Sequence, residues 1–200
     1  MQSDSFPEVG RLNIAFFHSP LVTLGPGRRV GLWLRGCFRS CPGCIAPELW
    51  AEEPSDRREV DDVAEEILRR GQEDLCRGLT VSGGEPFAQA PALEALIEKV
   101  APVLPDILVY SGYSHAELER EYPWIRKIAC LIDGPFDRTQ PCPDAWKGSA
   151  NQNMIVYAER FSDAYAKWKG EPKGRLQLVP SLGRVLGIPH IDLTAKPTMD

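Results

Sequence analysis

Strand-like and helix-like segments alternate along most of this chain, and this alternation restricts the folds that it can adopt. Short apolar runs end in polar or glycine-containing turns, and the segments between them place apolar residues at helical spacing. The predicted strands lie at 30–34, 78–82, 107–110, within 125–132, at 154–157 and at 175–179. Such alternation predicts βα units around a mainly parallel sheet.

The number of these units favours an open sheet over a closed one. About five or six βα units in about 180 residues are too few for a closed eight-stranded barrel. We therefore expect an α/β fold, an open, partial βα barrel of about six parallel strands, with a flavodoxin-like sheet as the alternative. In either fold, functional groups gather at the carboxyl ends of the strands.

Composition limits the class of protein further. The 200 residues fit one domain over 1–200, and the chain is 43% hydrophobic and 26% charged, as is ordinary for a protein with a buried core. No apolar run approaches the ~18 residues of a membrane span, and no signal-like start is present, so we expect a cytoplasmic protein. The net charge of −5 argues against a general nucleic-acid binder.

Three of the six cysteines, Cys37, Cys41 and Cys44, lie within eight residues of one another. Thiolates select zinc, copper(I) or iron–sulfur clusters. A structural zinc site normally has four ligands, but the next cysteine, Cys76, is 32 residues further along. Three thiolates on a [4Fe–4S] cluster instead leave one iron free to bind a small molecule. The spacing favours an iron–sulfur cluster, with zinc and unligated thiols as alternatives.

Glycine-containing turns follow three of the predicted strands, at 82–86, 111–112 and 133–134. The first contains Gly83 and Gly84, and paired glycines let a ligand approach the backbone closely. Such a turn is also common in tight βα loops. Because the carboxyl ends of parallel strands meet at one edge of a sheet, we expect these turns to lie near the three cysteines.

The segment from Gly25 to Cys44 also carries four arginines, Arg28, Arg29, Arg35 and Arg39, and no acidic residue. Guanidinium groups close to a negatively charged cluster would raise its reduction potential. They could also bind an acidic partner or an electron donor. A solvated loop with unrelated arginines is the alternative.

The motifs together resemble the radical S-adenosylmethionine (SAM) superfamily, in particular the small activating enzymes of anaerobic ribonucleotide reductase and related glycyl-radical enzymes. They span residues 25–152 in the order found in that family. The segments that carry the resemblance are Gly25-Pro-Gly27 with Arg28, Arg35-Gly-Cys37-Phe-Arg-Ser-Cys41-Pro-Gly-Cys44, Val81-Ser-Gly-Gly-Glu-Pro-Phe87, Tyr110-Ser-Gly-Tyr113, Asp133-Gly-Pro-Phe136 and Gly148-Ser-Ala-Asn-Gln152.

The resemblance implies a fold of the radical SAM type, with a core at about 25–155 and a C-terminal extension at 156–200. It also implies a [4Fe–4S] cluster held by Cys37, Cys41 and Cys44, whose open iron chelates the amino and carboxylate groups of SAM.

For the SAM site, the resemblance implies that Gly83, Gly84 and Glu85 receive the methionine amino group. Ser111 would line the same site. Asp133, at the end of a predicted strand, is a further candidate, for the ribose of SAM or for a cation. The sequence assigns no catalytic side chain.

The implied activity is that of an oxidoreductase. One electron, from a flavodoxin- or ferredoxin-type donor, cleaves SAM to methionine and a 5′-deoxyadenosyl radical, which installs a glycyl radical on a partner enzyme. Two alternatives stay open. A radical SAM enzyme could act on a peptide under maturation (RiPP) or on a small molecule, as in deazapurine synthesis. The second alternative is a non-catalytic iron–sulfur electron-transfer module, which would not require the Gly-Gly-Glu-Pro turn.

Overall fold

The computed structural model describes residues 10–171 and 176–188, which form a mixed α/β fold. No helix in this part of the chain is long and apolar enough to cross a membrane. In chain order the elements are β1 (Arg11–Leu21), β2 (Arg29–Leu34), β3 (Arg57–Glu59), α1 (Val60–Glu73), β4 (Gly78–Gly83), α2 (Ala90–Val100), β5 (Asp106–Tyr110), α3 (His115–Glu121), β6 (Cys130–Asp133), β7 (Asn153–Val156), α4 (Ser162–Lys169), β8 (Gln177–Val179) and β9 (Arg184–Leu186).

The central sheet is mostly parallel, as the alternation of segments predicts. Its strand order is β3-β1-β2-β4-β5-β6-β7, in which β2, β4, β5 and β6 are parallel neighbours. The parallel strands described number four, where about six were expected. The strand predicted at 154–157 forms β7, which is antiparallel to β6. The connection between them contains no α-helix, and its ends are bonded to each other from Gln152 to Gly134, so the chain returns beside β6 instead of crossing over the sheet. The last predicted strand forms β8, which pairs with β9 in a separate two-stranded sheet.

The order of the parallel strands excludes the flavodoxin-like alternative for the described residues. A flavodoxin-like sheet reverses its strand order at a switch point, whereas β2, β4, β5 and β6 follow one another in sequence. The helices α1, α2 and α3 accordingly contribute to a single apolar core on one face of the sheet. Ile107 and Val109 of β5 point into this core, and Leu108 points to the other face.

Two features differ from the sequence analysis. The first predicted strand begins at residue 30, but the structure adds β1, which pairs antiparallel with β2 and stacks Phe16 on Trp33 at a ring-centroid distance of 4.5 Å. The helical spacing of apolar residues from Val60 to Leu68 predicts a helix that ends at Gly71, but α1 continues through Gly71 to Glu73. A Cβ at Gly71 would lie 3.1 Å from Leu104, so the glycine permits close packing.

The second face of the sheet is covered by the C-terminal part of the chain. Tyr165 and Trp168 of α4 pack with Leu108 in one apolar cluster. Val179 of β8 and Leu186 of β9 belong to a second cluster on this face, which includes Trp33 of β2. Residues that follow β7 in the chain therefore contribute to the packing of the sheet.

A buried charged network fastens α4 to the amino-terminal ends of the parallel strands. Arg29, which has no exposed surface, pairs with Asp106 at 2.6 Å and donates to Thr80 Oγ1 at 2.7 Å. The hydroxyl of Tyr165 donates to Asp106 Oδ1 at 2.6 Å. One residue from each of β2, β4, β5 and α4 is thus joined. In the sequence Arg29 was grouped with the arginines near the cysteines. It is the first residue of β2, however, whereas the cysteines follow the last residue of this strand.

This network predicts a steep loss of stability when its carboxylate is removed. Asp106→Asn leaves the Arg29 guanidinium buried without a counter-charge, which costs about 3–5 kcal/mol of the free energy of unfolding. Tyr165→Phe removes the hydrogen bond that the hydroxyl donates to Asp106 and the long one that it accepts from Arg29, and costs about 1 kcal/mol. The measurement is urea denaturation followed by circular dichroism.

Glu73→Gln serves as the matched control, because Glu73 forms an exposed ion pair with Arg69. Its removal is expected to change the free energy of unfolding by less than about 0.5 kcal/mol. An Asp106→Asn variant as stable as this control would contradict the role assigned to the network.

Candidate functional site

The three predicted cluster ligands lie on one loop that leaves the carboxyl end of β2 and returns to its own base. The base is closed by two backbone hydrogen bonds, from Gly36 N to Leu49 O at 3.0 Å and from Cys37 N to Trp50 O at 2.9 Å. Cys37, Cys41 and Cys44 are all partly exposed and are not in disulfides. We call residues 36–50 the cysteine loop.

The backbone of the cysteine loop turns sharply between the second and third cysteines. Cys44 N donates to Cys41 O at 3.0 Å, and Gly43 has a φ of +79°, a conformation that favours glycine. Burial raises the pKa of the Cys37 thiol, while the nearby backbone N–H groups of Arg39 and Ser40 lower it in part. These N–H groups would stabilise a thiolate at this position.

The donor set of the cysteine loop fits an iron–sulfur cluster. Three free thiols on one partly exposed loop are the soft ligands that such a cluster takes. In the described residues, no three His, Cys, Asp or Glu side chains converge as they would around a single metal ion.

The glycines of the turn after β4 allow close contact with the base of the cysteine loop. Gly84 N donates to Leu34 O, and Glu85 N donates to Gly36 O, both at 2.8 Å. A Cβ at Gly83 would lie 2.3 Å from Leu34 O, and one at Gly84 would lie 2.4 Å from Gly36 O. The two glycines are therefore required by the packing of this turn against the loop.

Glu85 joins the carboxyl ends of β4 and β5. Its side chain is buried, with Oε1 accepting from Ser111 Oγ at 2.9 Å and from Phe87 N at 3.0 Å. Its Oε2 accepts from Gly112 N at 2.7 Å. Burial raises the pKa of the Glu85 carboxyl, because removal from water disfavours the charged form. Glu85 and Ser111, both predicted for the SAM site, are thus in direct contact.

Asp133 lies at the end of the next strand and binds other parts of the protein. Its carboxylate accepts from His115 N at 2.6 Å and from the backbone and side-chain nitrogens of Asn153 at 3.1 and 3.0 Å. It therefore joins the start of α3 to the start of β7. Direct contacts bring together the cysteine loop, Gly83, Gly84, Glu85 and Ser111. Asp133 does not share these contacts. The next residue, Gly134, connects this strand end to the turn after β5 through a hydrogen bond from Gly134 N to Tyr113 O at 2.8 Å.

The last two family-like motifs form the two ends of one loop, residues 134–152, which we call the closing loop. The Gln152 side chain donates to Gly134 O at 2.9 Å and accepts from Gly148 N at 2.8 Å. Asn151 Nδ2 donates to Pro135 O at 2.7 Å. These contacts hold the base of the closing loop together. Both motifs were recognised in the sequence, but their pairing was not predicted; the amide side chains of the second motif were the signal that could have indicated it.

The closing loop also reaches the cysteine loop. A Cβ at Gly43 would lie 3.5 Å from Arg138 Cδ and 3.7 Å from Phe136 Cε1. The turn between the second and third cysteines is therefore covered on one side by the residues that follow β6. This contact was not predicted from the sequence.

The arginines near the cysteines have different roles. Arg28 donates to Asp74 O at 2.8 Å, and Arg35 pairs with Asp56 at 2.5 Å, so both stabilise neighbouring backbone or loops. Arg39 instead extends from the cysteine loop and places its guanidinium over the ring of Tyr113, 4.7 Å from the ring centroid. Of these three, Arg39 is the one that faces the predicted SAM-binding residues.

Comparison with known proteins agrees with the resemblance of the motifs. Residues 23–155 match the family model described as a 4Fe-4S single cluster domain. The chain is 34% identical over 139 residues to the anaerobic ribonucleoside-triphosphate reductase-activating protein of Vibrio cholerae, covering 66% of this chain and 89% of that protein. It is 29% identical over 144 residues to the protein of the same name from Escherichia coli K12, covering 66% and 90%.

A second group of relatives matches a shorter segment. The chain is 42% identical over 79 residues to the pyruvate formate-lyase-activating enzyme of Staphylococcus epidermidis, covering 38% of this chain and 32% of that enzyme. Both groups are named for the activation of another enzyme. The chain therefore belongs to the 4Fe-4S single cluster domain family and is an enzyme of the radical SAM activating type.

Proposed function

We propose that this protein binds SAM at a [4Fe–4S] cluster on the cysteine loop, cleaves it reductively and installs a glycyl radical on a partner enzyme, anaerobic ribonucleotide reductase. The observation that carries the proposal is the hydrogen-bonded contact between the loop of three free thiols and the Gly83-Gly84-Glu85 turn. The relatives that cover most of the matched region are named as activators of that reductase.

Cys37, Cys41 and Cys44 would hold three irons of the cluster and leave the fourth for SAM. When bound, the cluster and SAM would supply the radical chemistry, in which one electron delivered to the cluster cleaves SAM to methionine and a 5′-deoxyadenosyl radical. The protein's contribution is to hold and orient these groups and to limit the access of water.

Glu85 supplies a buried negative charge beside the turn that would receive the methionine amino group. Burial raises the pKa of its carboxyl, so a cation at this place would favour the charged form. Its own hydrogen bonds to Ser111 and Gly112 fix the neighbouring turn. We assign Ser111 to the wall of the same site, and Asp133 to the ribose side or to a cation.

We also propose that the finer architecture is an open, partial βα barrel of the radical SAM type. The sequential order of the parallel strands and the single helical layer formed by α1, α2 and α3 support this. In this proposal residues 1–200 form one domain, in which the core at about 25–155 carries the chemistry. Of the extension at 156–200, residues 156–171 and 176–188 are described, and they cover part of the second face of the sheet; residues 172–175 and 189–200 lie outside the described residues.

The partner and the electron donor would approach from the side of the cysteine loop. Phe38 and Ile45 on this loop are 79% and 66% exposed, so they present apolar surface beside the three cysteines. We propose a flavodoxin- or ferredoxin-type protein as the donor, in the cytoplasm.

The assignment of the cluster ligands predicts a selective loss of iron. After anaerobic reconstitution, Cys37→Ala, Cys41→Ala and Cys44→Ala are each expected to lose most of the bound iron and sulfide, because a cluster with only two protein ligands is weakly held. Cys76→Ala is the matched control, since Cys76 is a buried thiol outside the cysteine loop. Its iron content should equal that of the wild type. A Cys41→Ala variant with wild-type iron content would contradict the assignment.

The proposed substrate predicts a radical on the partner. The reconstituted protein, SAM and a reductant are incubated with the anaerobic ribonucleotide reductase of the same organism, and the mixture is followed by electron paramagnetic resonance. We expect a glycyl radical signal on the reductase that requires SAM and is absent with Cys41→Ala. Cleavage of SAM without such a signal would contradict this substrate and favour a peptide or a small molecule.

A further inference from the structure

Among the four arginines of the segment from Gly25 to Cys44, Arg39 differs in that its guanidinium lacks a hydrogen-bond acceptor in the described part of the chain. Its Nε is buried and, within the part of the chain that the structure describes, has no hydrogen-bond partner. Arg28, Arg29 and Arg35, by contrast, all donate to backbone or carboxylate oxygens. A buried donor without an acceptor is costly, and in native proteins such groups are usually satisfied by a partner, which includes bound ligands.

The neighbouring turn is built to let the Arg39 side chain pass. A Cβ at Gly112 would lie 2.5 Å from Arg39 Cδ and 2.9 Å from Arg39 Nε. The φ of Gly112 is not in the left-handed region, so the backbone conformation does not itself demand glycine. Gly112 therefore leaves the space that the Arg39 side chain occupies, and a side chain at this position would displace Arg39.

A contact with an aromatic ring fixes the direction of this side chain. The guanidinium lies over the ring of Tyr113, 4.7 Å from its centroid, which holds a cation in place without using its N–H groups. Its positive charge acts on Glu85, but that carboxylate already accepts from Ser111, Phe87 and Gly112. The N–H groups of Arg39 are thus available to an acceptor brought by a ligand.

We propose that Arg39 binds the α-carboxylate of SAM and thereby selects for the complete amino-acid end of this molecule. The inference rests on the proposed function, because it takes SAM as the ligand. A guanidinium donates two parallel hydrogen bonds to a carboxylate, which suits this group better than an ammonium would. Arg39 and the buried Glu85 then place a positive and a negative charge at neighbouring positions, which match the carboxylate and ammonium of one zwitterion.

The experiment compares SAM with decarboxylated SAM, which lacks only the carboxylate. Binding of both to the reconstituted, oxidised protein is measured by isothermal titration calorimetry, so that no cleavage occurs. Arg39→Gln is expected to weaken SAM binding by about 10- to 100-fold, as loss of a charged hydrogen bond does, and to change binding of decarboxylated SAM by less than about threefold. Arg39→Lys should recover part of the loss.

Two more variants separate this role from others. Arg138→Gln removes the same charge beside Gly43 of the cysteine loop, and its affinity for both ligands should stay at the wild-type value. Gly112→Ala should displace Arg39 and reproduce the selective loss of SAM affinity. All variants are compared at equal iron content, which excludes loss of the cluster as the cause.

The possible results are distinct. An Arg39→Gln variant that binds both ligands more weakly to the same degree would overturn the assignment in favour of a general effect on the cluster or the loop. Unchanged SAM affinity together with weaker binding of the reductase would instead identify Arg39 as a contact for an acidic partner, and would also overturn it. A wild-type protein that binds no SAM would show that the proposed function itself has failed.

Discussion

Two backbone hydrogen bonds between the turn after β4 and the base of the cysteine loop hold the candidate site together. The N–H groups of Gly84 and Glu85 donate to Leu34 O and Gly36 O, and thereby tie the end of β4 to the point where the loop leaves β2. Only glycine fits at 83 and 84, because a Cβ there would overlap the backbone of the facing strand or loop. The position of the three thiols relative to the proposed SAM site depends on this junction.

The remaining contacts extend the junction along the edge of the sheet. Glu85 connects it to Ser111 and Gly112 at the end of β5, and the closing loop covers Gly43 from the side of β6. Parallel strands in sequential order place these ends side by side, which is why residues distant in sequence meet. At the other end of the strands, the Arg29–Asp106 pair and Tyr165 fasten the C-terminal helix.

Much of this arrangement could be predicted from the sequence, because local patterns specify it. Apolar runs located β2, β4, β5 and β6. The pattern Ser114-His-Ala-Glu117 is typical of a capping box and correctly predicts the start of α3. What the sequence could not supply depends on contacts between distant residues. The antiparallel direction of β7, the burial of Arg29 and the amide contacts of Gln152 all result from tertiary packing. The same holds for the space that Gly112 leaves to Arg39.

The measurement that tests the central claim most directly is the release of 5′-deoxyadenosine. The protein is reconstituted anaerobically with iron and sulfide, and a strong reductant and SAM are added. The account predicts that 5′-deoxyadenosine accumulates with the wild type and not with Cys41→Ala. A complete cluster that binds SAM and releases no 5′-deoxyadenosine, even with the partner enzyme present, would contradict it.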